Sequence, residues 1–237
     1  MIHGVRFGRK FADATFDTFE VSRFNEKAVD ACQSLVRSEI GGVVLIGPGG
    51  VGKTHLLHAL AVEFDRLRFA SPTGEEFGDQ PMGVPSASEL IRNADPQFTE
   101  DSATPTLTRE EAAREAVIAY WPMLDLVGSL RIAARLGDTD ISEECCTCDL
   151  LILDDLGHEK TSEFIVQEFR RIIDWRYREM LPTAIATNLT KSDLLEKYEE
   201  HTYSRWLGSC EIVEIAGSDY RMERGPRGDR RASHPTS

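Results

Sequence analysis

Residues 43–54, VVLIGPGGVGKT, join a short apolar run to a glycine-rich loop that ends in Lys53 and Thr54. The apolar pattern of residues 56–61, LLHALA, follows at once, so a strand, a loop and a helix are expected in succession. The loop matches G-x-x-x-x-G-K-[ST], in which backbone N–H groups surround phosphate oxygens, a lysine neutralises their charge and a hydroxyl binds Mg²⁺. The stretch therefore predicts a phosphate-binding loop inside an α/β fold.

Composition limits the class of protein. The chain has 237 residues, 41% hydrophobic and 28% charged, which is enough for one sizeable α/β domain. Its formal net charge of −13 argues against a surface that is covered by nucleic acid, so any DNA contact is expected to be regional. No stretch approaches the ~18 apolar residues of a membrane span, and residues 1–10 lack the apolar core of a secretory signal. We therefore expect a cytoplasmic protein with no membrane partner.

Apolar runs and amphipathic stretches alternate along the chain. Strands are predicted at 42–46, 116–121, 150–153, 182–188 and 211–215, and helices at 25–37, 53–64, 124–136, 162–179, 192–198 and 203–207. The inner side of the helix at 162–179 is expected to carry Phe164, Ile165, Phe169, Ile172 and Ile173. Continuous apolar strands that alternate with helices are typical of a parallel sheet buried on both faces. We predict a three-layer α/β P-loop NTPase whose ligand lies at the carboxyl ends of the strands.

Three parts are expected along the chain: an arm at 1–24, a core at 25–222 and a basic tail at 223–237. Within the core, residues 71–108 hold five of the ten prolines among scattered acidic, Ser, Thr and Gly residues. This composition predicts a mobile insert, which serves as a solvated spacer or carries a partner motif. The tail is expected to be disordered, as a solvated end or as a nucleic-acid arm.

The five cysteines leave three interpretations open. Cys145 and Cys148 have the CxxC spacing of a redox pair or of half a zinc site. The only similarly spaced histidines, His55 and His58, belong to the phosphate-loop helix and are poor candidates for the other half. We favour reduced cysteines beside a strand, with Cys32 and Cys210 as buried thiols.

Polar side chains end two of the predicted strands. Asp154 and Asp155 follow the apolar run 150–153, which is the Walker B pattern of a P-loop protein. Asp154 is expected to hold Mg²⁺, mostly through water, and Asp155 to polarise the attacking water. Asn188 ends the next buried strand, where its amide could bond the γ-phosphate or that water.

Several motifs follow one another in order along the chain. They are GPGGVGKTHLLHALA, CDLLILDDLG, WRYRE, PTAIATNL followed by TKSDL, SRW at 204–206 and DYR at 219–221. Together these motifs resemble the DnaC/IstB-like group of AAA+ ATPases. The resemblance covers roughly residues 16–66 and 124–222. The resemblance implies an AAA+ core that binds ATP and Mg²⁺. Members of this family act as helicase loaders or as transposition helper ATPases. In this family an arm with spaced phenylalanines precedes the core. Phe16 and Phe19 are similar to those phenylalanines in spacing and position.

The resemblance also implies roles for two arginines. Arg205 matches the arginine that reaches into a neighbouring subunit's ATP, and Arg221 matches the second sensor arginine, which contacts the γ-phosphate. Both roles agree with the bidentate, charge-assisted contacts that a guanidinium makes to phosphate. The complete set of expected site residues is Gly47, Pro48, Gly49, Gly50, Val51, Gly52, Lys53, Thr54 and His55 for ATP, Thr54 and Asp154 for Mg²⁺, and Asp155, Asn188, Arg205 and Arg221 for hydrolysis.

Three features depart from the family pattern. The phosphate loop already begins at Gly47, so we expect no extra N-terminal domain of the kind with which loaders hold the replicative helicase. The insert at 71–108 lies outside the usual core and could replace that contact. Asp155 stands where many AAA+ proteins have Glu, and its shorter reach predicts slow hydrolysis without a partner.

Three functions are compatible with these motifs. The first is an ATPase switch that oligomerises on ATP and acts on single-stranded or target duplex DNA, or on a DNA-bound helicase or transposase. The second is a small-molecule kinase, against which Asp154, Asp155, Asn188 and Arg205 argue. The third is a non-hydrolysing scaffold that binds nucleotide and docks a partner through the insert.

Overall fold

The computed structural model describes residues 2–4, 11–69, 117–159, 162–217 and 219–220. The predicted insert at 71–108, the tail at 223–237 and Arg221 lie outside the described residues. In the part of the chain that is described, no helix is long and apolar enough to cross a membrane.

Within these described ranges, six parallel strands form one sheet in the order β1-β3-β4-β5-β2-β6. Their bounds are β1 Ile2–Gly4, β2 Gly42–Ile46, β3 Ile118–Pro122, β4 Leu150–Leu156, β5 Thr183–Thr187 and β6 Glu211–Glu214. The strand β5 lies between β2 and β4, and its Ala184 pairs with Val43 and with Ile152. The predicted parallel α/β sheet is confirmed.

Helices cover both faces of the sheet. Their bounds are α1 Glu26–Val36, α2 Lys53–Phe69, α3 Met123–Leu136, α4 Asp140–Thr147, α5 Glu163–Arg178 and α6 Lys191–Ser209. One core cluster contains residues of α1 and α2 together with Val43 and Leu45 of β2. The other contains residues of the four helices α3, α4, α5 and α6 together with Val44 and Ile46. Because successive side chains of a strand point to opposite faces, a continuously apolar strand such as β2 is needed to fill both cores. The predicted three-layer arrangement is confirmed.

The helix α6 is continuous, whereas the sequence pattern predicts two helices, at 192–198 and 203–207. Thr190 and Asp193 form a capping box that starts it. Leu194, Tyr198, Thr202 and Trp206, each buried, repeat at intervals of four and form one inward stripe. The polar Thr202 interrupts the apolar pattern of the sequence, which is why two helices were predicted. In the structure its side chain is buried in the same stripe as its apolar neighbours.

Three other segments differ from prediction. The strand β1, at Ile2–Gly4, lies within the predicted arm and was not predicted. The helix α4 was not predicted, because only Ser142, Cys145 and Cys146 of this short, acidic stretch are buried. The helix α2 continues to Phe69, past the predicted end at residue 64. Phe164 is 39% exposed, so its predicted place on the inner side of α5 is wrong.

Arg176 joins α5 to α4 from a buried position. Its Nη1 donates to the carbonyl oxygens of Cys145 and Cys148 at 3.0 and 2.9 Å, and its Nη2 to that of Pro182 at 2.6 Å. A cation at a helix C-terminus satisfies carbonyls that have no partner within the helix. A single arginine therefore holds α4 and the start of β5 in place.

The five cysteines are unpaired thiols. Burial raises the pKa of Cys145, Cys146 and Cys148, which keeps these thiols neutral. Among the described residues, no three His, Cys, Asp or Glu side chains group as a metal site. Cys210 is only partly buried, so its prediction as a buried thiol is wrong.

Replacing Arg176 by methionine is expected to destabilise the fold by about 3 kcal/mol, because buried carbonyl groups lose their donor. Denaturant unfolding of the two proteins measures the difference. Arg178→Met is the matched control, since Arg178 is an exposed arginine at the end of the same helix. The control should change the free energy of unfolding by less than about 0.5 kcal/mol. Equal losses in both variants would contradict a special role for Arg176.

Candidate nucleotide site

Three polar segments meet at one edge of the sheet. The phosphate loop at 47–52 follows β2, the acidic pair lies near the end of β4, and Asn188 follows β5. Since β5 lies between β2 and β4, the carboxyl ends of these parallel strands are neighbours. Ligands of open α/β sheets bind at such an edge.

The phosphate loop has a backbone that requires glycine at two positions. Gly50 and Gly52 have φ values of +80° and +99°, which side chains disfavour. A Cβ at Gly52 would also lie 2.7 Å from Cε2 of Phe19. The loop leads directly into α2 at Lys53, so the first N–H groups of this helix stand where an anion could accept from them.

Lys53 is buried, at 6% exposure. Its side chain extends across the loop to Asn188, which follows the neighbouring strand β5. Its Nζ donates to the carbonyl oxygens of Gly47 and Pro48 at 2.7 and 2.8 Å, and to Oδ1 of Asn188 at 2.7 Å. These three bonds hold the lysine between the loop and Asn188. The sequence predicted that Lys53 and Asn188 belong to one site. In the structure the two side chains are joined by a direct hydrogen bond.

Asp154 accepts hydrogen bonds on both carboxylate oxygens. Thr54 Oγ1 donates to Oδ1 at 3.3 Å, and the Tyr120 hydroxyl donates to Oδ2 at 2.7 Å. The backbone N–H of Asp155 also donates to Oδ1, at 2.9 Å. Burial raises the pKa of Asp154, whereas the bond from Tyr120 opposes that rise. The two oxygen groups expected to serve Mg²⁺, from Thr54 and Asp154, are therefore adjacent.

Asp155 is exposed and has a left-handed backbone, with φ of +55°. The pairing of β4 with β5 shifts register between Leu153 and Leu156, around the acidic pair. A bulge of this kind redirects side chains, so adjacent carboxylates have opposite environments, Asp154 buried and Asp155 in solvent. The sequence placed both acids after the strand, whereas β4 runs through them to Leu156.

His158 is a site neighbour that sequence reasoning missed. Its Nε2 lies 3.5 Å from Nδ2 of Asn188, and its Nδ1 lies 3.4 Å from the carbonyl oxygen of Asp155. The signal that could have found it is its position three residues after Asp155, in the turn that follows the acidic strand. An exposed imidazole thus lies beside the amide that Lys53 holds.

The N-terminal arm packs on α2 beside the phosphate loop. His55 Nε2 lies 3.0 Å from the carbonyl oxygen of Thr15, and its ring meets the Phe19 ring edge-on, 5.2 Å between centroids. Phe16 and Phe19 pack against the core cluster that contains α1 and α2. His55, which the sequence assigned to nucleotide binding, therefore contacts the arm in this structure.

His58 lies one turn beyond Thr54 and is uncharged at neutral pH. Its ring stacks on Phe11 and tilts against Tyr120, with 4.8 Å between centroids in both pairs. Burial, followed by the charge of His55, lowers its pKa from 6.5 to about 4.

The low pKa of His58 predicts a loss of stability in acid. The unfolded chain binds a proton at this histidine near pH 6.5, whereas the folded chain does so only near pH 4. Its contribution is therefore complete above pH 6.5 and is lost as the pH falls toward 4, by roughly 2 kcal/mol. His58→Phe keeps the ring contacts without the titration, so its denaturant unfolding should depend less on pH over this range. Parallel pH profiles for variant and wild type would contradict the assignment.

Arg205 lies away from this set, on α6 where that helix faces α5. Its Nε donates to Oδ1 of Asp174 at 3.1 Å, and its guanidinium carbon is 4.9 Å from the Tyr177 ring centroid. The side chain is one-third exposed, at 33%. The structure thus brings Lys53, Thr54, Asp154 and Asn188 together and places Arg205 elsewhere.

The segment before Arg221 lies on the phosphate loop. The Tyr220 N–H donates to the Gly50 carbonyl oxygen at 3.2 Å, and the Tyr220 hydroxyl donates to Glu20 Oε2 at 2.7 Å. The carboxylate of Asp219 lies so close to Gly50 that any side chain at that position would overlap it. Residues on the carboxyl side of β6 therefore close over the loop next to the arm.

The parallel sheet of this order, with a glycine-rich loop after β2 and paired acids on β4, has the three-layer α/β arrangement that the sequence predicted. No protein-family model matches the chain. The structure is similar to that of the DnaC helicase loader, with a TM-score of 0.61 and 21% identity over 88% of this chain and 100% of that one. It is also similar to DnaI, with a TM-score of 0.57 and 21% identity over 93% and 97% of the two chains.

Two further similarities concern longer proteins. The replication initiator DnaA, bound to AMPPCP and single-stranded DNA, has a TM-score of 0.59 and is 18% identical over 87% of this chain and 51% of its own. The ATP-dependent zinc metalloprotease FtsH of Thermus thermophilus is 32% identical over 126 residues, which are 53% of this chain and 17% of that protein. The chain thus spans about a sixth of FtsH and half of that DnaA chain. The predicted resemblance to DnaC is confirmed at the level of the fold.

Proposed function

We propose that this protein is an ATP-binding and ATP-hydrolysing AAA+ switch that assembles on ATP and acts on DNA or on a DNA-bound partner. The observation that carries the proposal is the convergence of Lys53, Thr54, Asp154 and Asn188 at one edge of the sheet. Two independent hydrogen bonds link the phosphate loop to the ends of two other strands. A glycine-rich turn without this function would have no need of either link.

The triphosphate would lie along the loop at 47–52, where backbone N–H groups and the start of α2 donate to it. Lys53 would exchange its two loop carbonyl acceptors for phosphate oxygens while its contact with Asn188 keeps it at the site. Asn188 is exposed, and its amide would meet the γ-phosphate or a water.

The oxygen donors fit Mg²⁺, which prefers hydroxyl, carboxylate and water ligands. Thr54 would bind the ion and Asp154 would hold its water shell. An ion held by these two residues would supply charge neutralisation for a bound triphosphate. Asp155, exposed beside Asp154, would accept a proton from the attacking water or orient it.

Assembly of subunits is proposed from the position of Arg205. Its contacts with Asp174 and Tyr177 hold the guanidinium on the α5–α6 face, and a third of the side chain is exposed. A guanidinium supplied to another subunit's γ-phosphate would make hydrolysis depend on assembly. Arg221 is proposed for the same phosphate, since Tyr220 lies on Gly50.

The DNA-bound partner of the switch is proposed to be a replicative helicase or a transposase. DnaC is a helicase loader and DnaA was solved with single-stranded DNA, and similarity to both favours a role in DNA replication with a replicative helicase. A transposition helper that guides a transposase to target duplex DNA is the alternative. Its basis is the resemblance of the sequence motifs to the wider DnaC/IstB-like group.

Two measurements test the proposal. Isothermal titration of the folded protein with ADP or ATP plus Mg²⁺ should give heat with a dissociation constant in the micromolar range. Phosphate release should then be slow alone and rise with single-stranded or duplex DNA. Absence of heat would overturn nucleotide binding, whereas binding without phosphate release under any condition would favour the non-hydrolysing scaffold.

A further inference from the structure

Tyr120 links the acidic strand to the rest of the site in a way that no sequence motif indicates. It lies in β3, beside β4, and its ring is buried in the core cluster that contains α1 and α2. The register pairs it with Ile152, two residues before Asp154. Its hydroxyl reaches along the strand and donates to Oδ2 of Asp154 at 2.7 Å.

The bond from Tyr120 completes the restraint of the Asp154 carboxylate. Oδ1 accepts from Thr54 and from the Asp155 N–H, and Oδ2 accepts from Tyr120. Donors on one oxygen alone would let the carboxyl group turn about its terminal torsion, whereas donors on both fix its plane. A fixed carboxylate presents its remaining lone pairs to a metal-bound water in one direction.

The Tyr120 ring is itself held by residues from α2 and from the arm. The His58 ring lies against it with 4.8 Å between centroids, and the Phe11 ring stacks on His58 at 4.8 Å with 23° between planes. Phe11, His58, Tyr120 and Asp154 thus form a continuous series of contacts. It joins the arm to the carboxylate without passing through the phosphate loop.

We propose that Tyr120 is a positioning residue of the magnesium site, and that Phe11 and His58 hold it there, so that seating of the arm sets how well Mg²⁺ is bound. This inference rests on the proposed function. Phenylalanine would fill the same space in β3, so the hydroxyl is needed for the carboxylate rather than for the core. Removing a group that orients a metal ligand typically lowers metal affinity or activity by about 10-fold or more.

The test separates nucleotide binding from metal binding. Affinity for a fluorescent ADP is measured in EDTA and then at rising Mg²⁺ concentration, for wild type and for Tyr120→Phe. For Tyr120→Phe we expect the affinity for ADP in EDTA to change less than about twofold. The Mg²⁺ midpoint, which is the Mg²⁺ concentration that gives half of the metal-dependent gain in ADP affinity, should rise about 10-fold. An unchanged Mg²⁺ midpoint overturns the inference, and so does an equal loss of affinity in EDTA.

The matched control is Tyr198→Phe, which removes another buried hydroxyl that donates to a carboxylate, that of Glu159. Its Mg²⁺ midpoint should equal that of wild type. A second variant, Phe11→Ala, keeps the Tyr120 hydroxyl and should raise the midpoint about two- to threefold by loosening the ring. If Phe11→Ala has the wild-type midpoint, the arm has no part in the site.

These outcomes are distinct from failure of the proposed function. If wild type binds no nucleotide in EDTA or in Mg²⁺, the nucleotide site is wrong and the inference falls with it. If wild type shows a Mg²⁺-dependent gain that both variants share unchanged, the nucleotide site stands and only the inference is overturned. Circular dichroism of each variant confirms that the fold is retained, and Phe11→Ala keeps the test decisive if Tyr120→Phe does not fold.

Discussion

Lys53→Ala is expected to abolish nucleotide binding and hydrolysis while the protein still folds. The ammonium group can make two charge-assisted hydrogen bonds to phosphate, each worth about 1.5–3 kcal/mol, so their loss weakens binding about 10²- to 10⁴-fold. No neighbouring residue of the loop at 47–52 carries a cation that could replace it. Isothermal titration with ADP and Mg²⁺ measures the loss of affinity.

The same change has a small structural cost that the sequence did not indicate. Lys53 is buried and donates to Gly47, Pro48 and Asn188, so alanine leaves three acceptors with water as their replacement donor. We expect a loss of about 1–2 kcal/mol in the free energy of unfolding, which a domain of this size tolerates. Lys27→Ala, at an exposed site on α1, is the control. Full binding in Lys53→Ala, or loss of its circular dichroism spectrum, would contradict the prediction.

Arg205→Ala is expected to retain ATP binding and to lose hydrolysis by about 10³-fold, the usual effect of removing an arginine that stabilises a phosphoryl-transfer transition state. In the described structure this side chain contacts Asp174 and Tyr177 rather than the phosphate loop. Its loss should therefore leave the affinity of each subunit for nucleotide unchanged. Single-turnover phosphate release and nucleotide titration on the same sample separate the two effects. Arg178→Ala, an exposed arginine on α5, controls for loss of surface charge.

Mixing two inactive variants tests whether Arg205 acts between subunits. In a mixture of Arg205→Ala with Asp155→Asn, the first variant has an intact nucleotide site and the second supplies the arginine. Phosphate release should recover to a measurable fraction of the wild-type rate at intermediate ratios and vanish at either extreme. Lack of recovery at every ratio would argue against action between subunits.

Most of the sheet could be predicted from the sequence because its strands are continuous apolar runs. The runs at 42–46 and 150–153 are buried on both faces, and burial of each such side chain contributes about 1.5–3 kcal/mol. Patterns that depend on fewer apolar residues were predicted less well. The helix α4 is short and acidic, and its position depends on Arg176, which lies about 30 residues further along the chain.

The sequence by itself determined where the glycine-rich loop, the acidic pair and Asn188 lie relative to the strands, since each is a local pattern attached to a strong strand. Only the tertiary structure decided their contacts, including Lys53 to Asn188 and Tyr120 to Asp154, which join residues 135 and 34 positions apart. It also decided that Asp154 is buried while Asp155 is exposed, through a register shift between two strands. The reason is that local patterns select strands, loops and helices, whereas strand order and packing select which of their side chains meet.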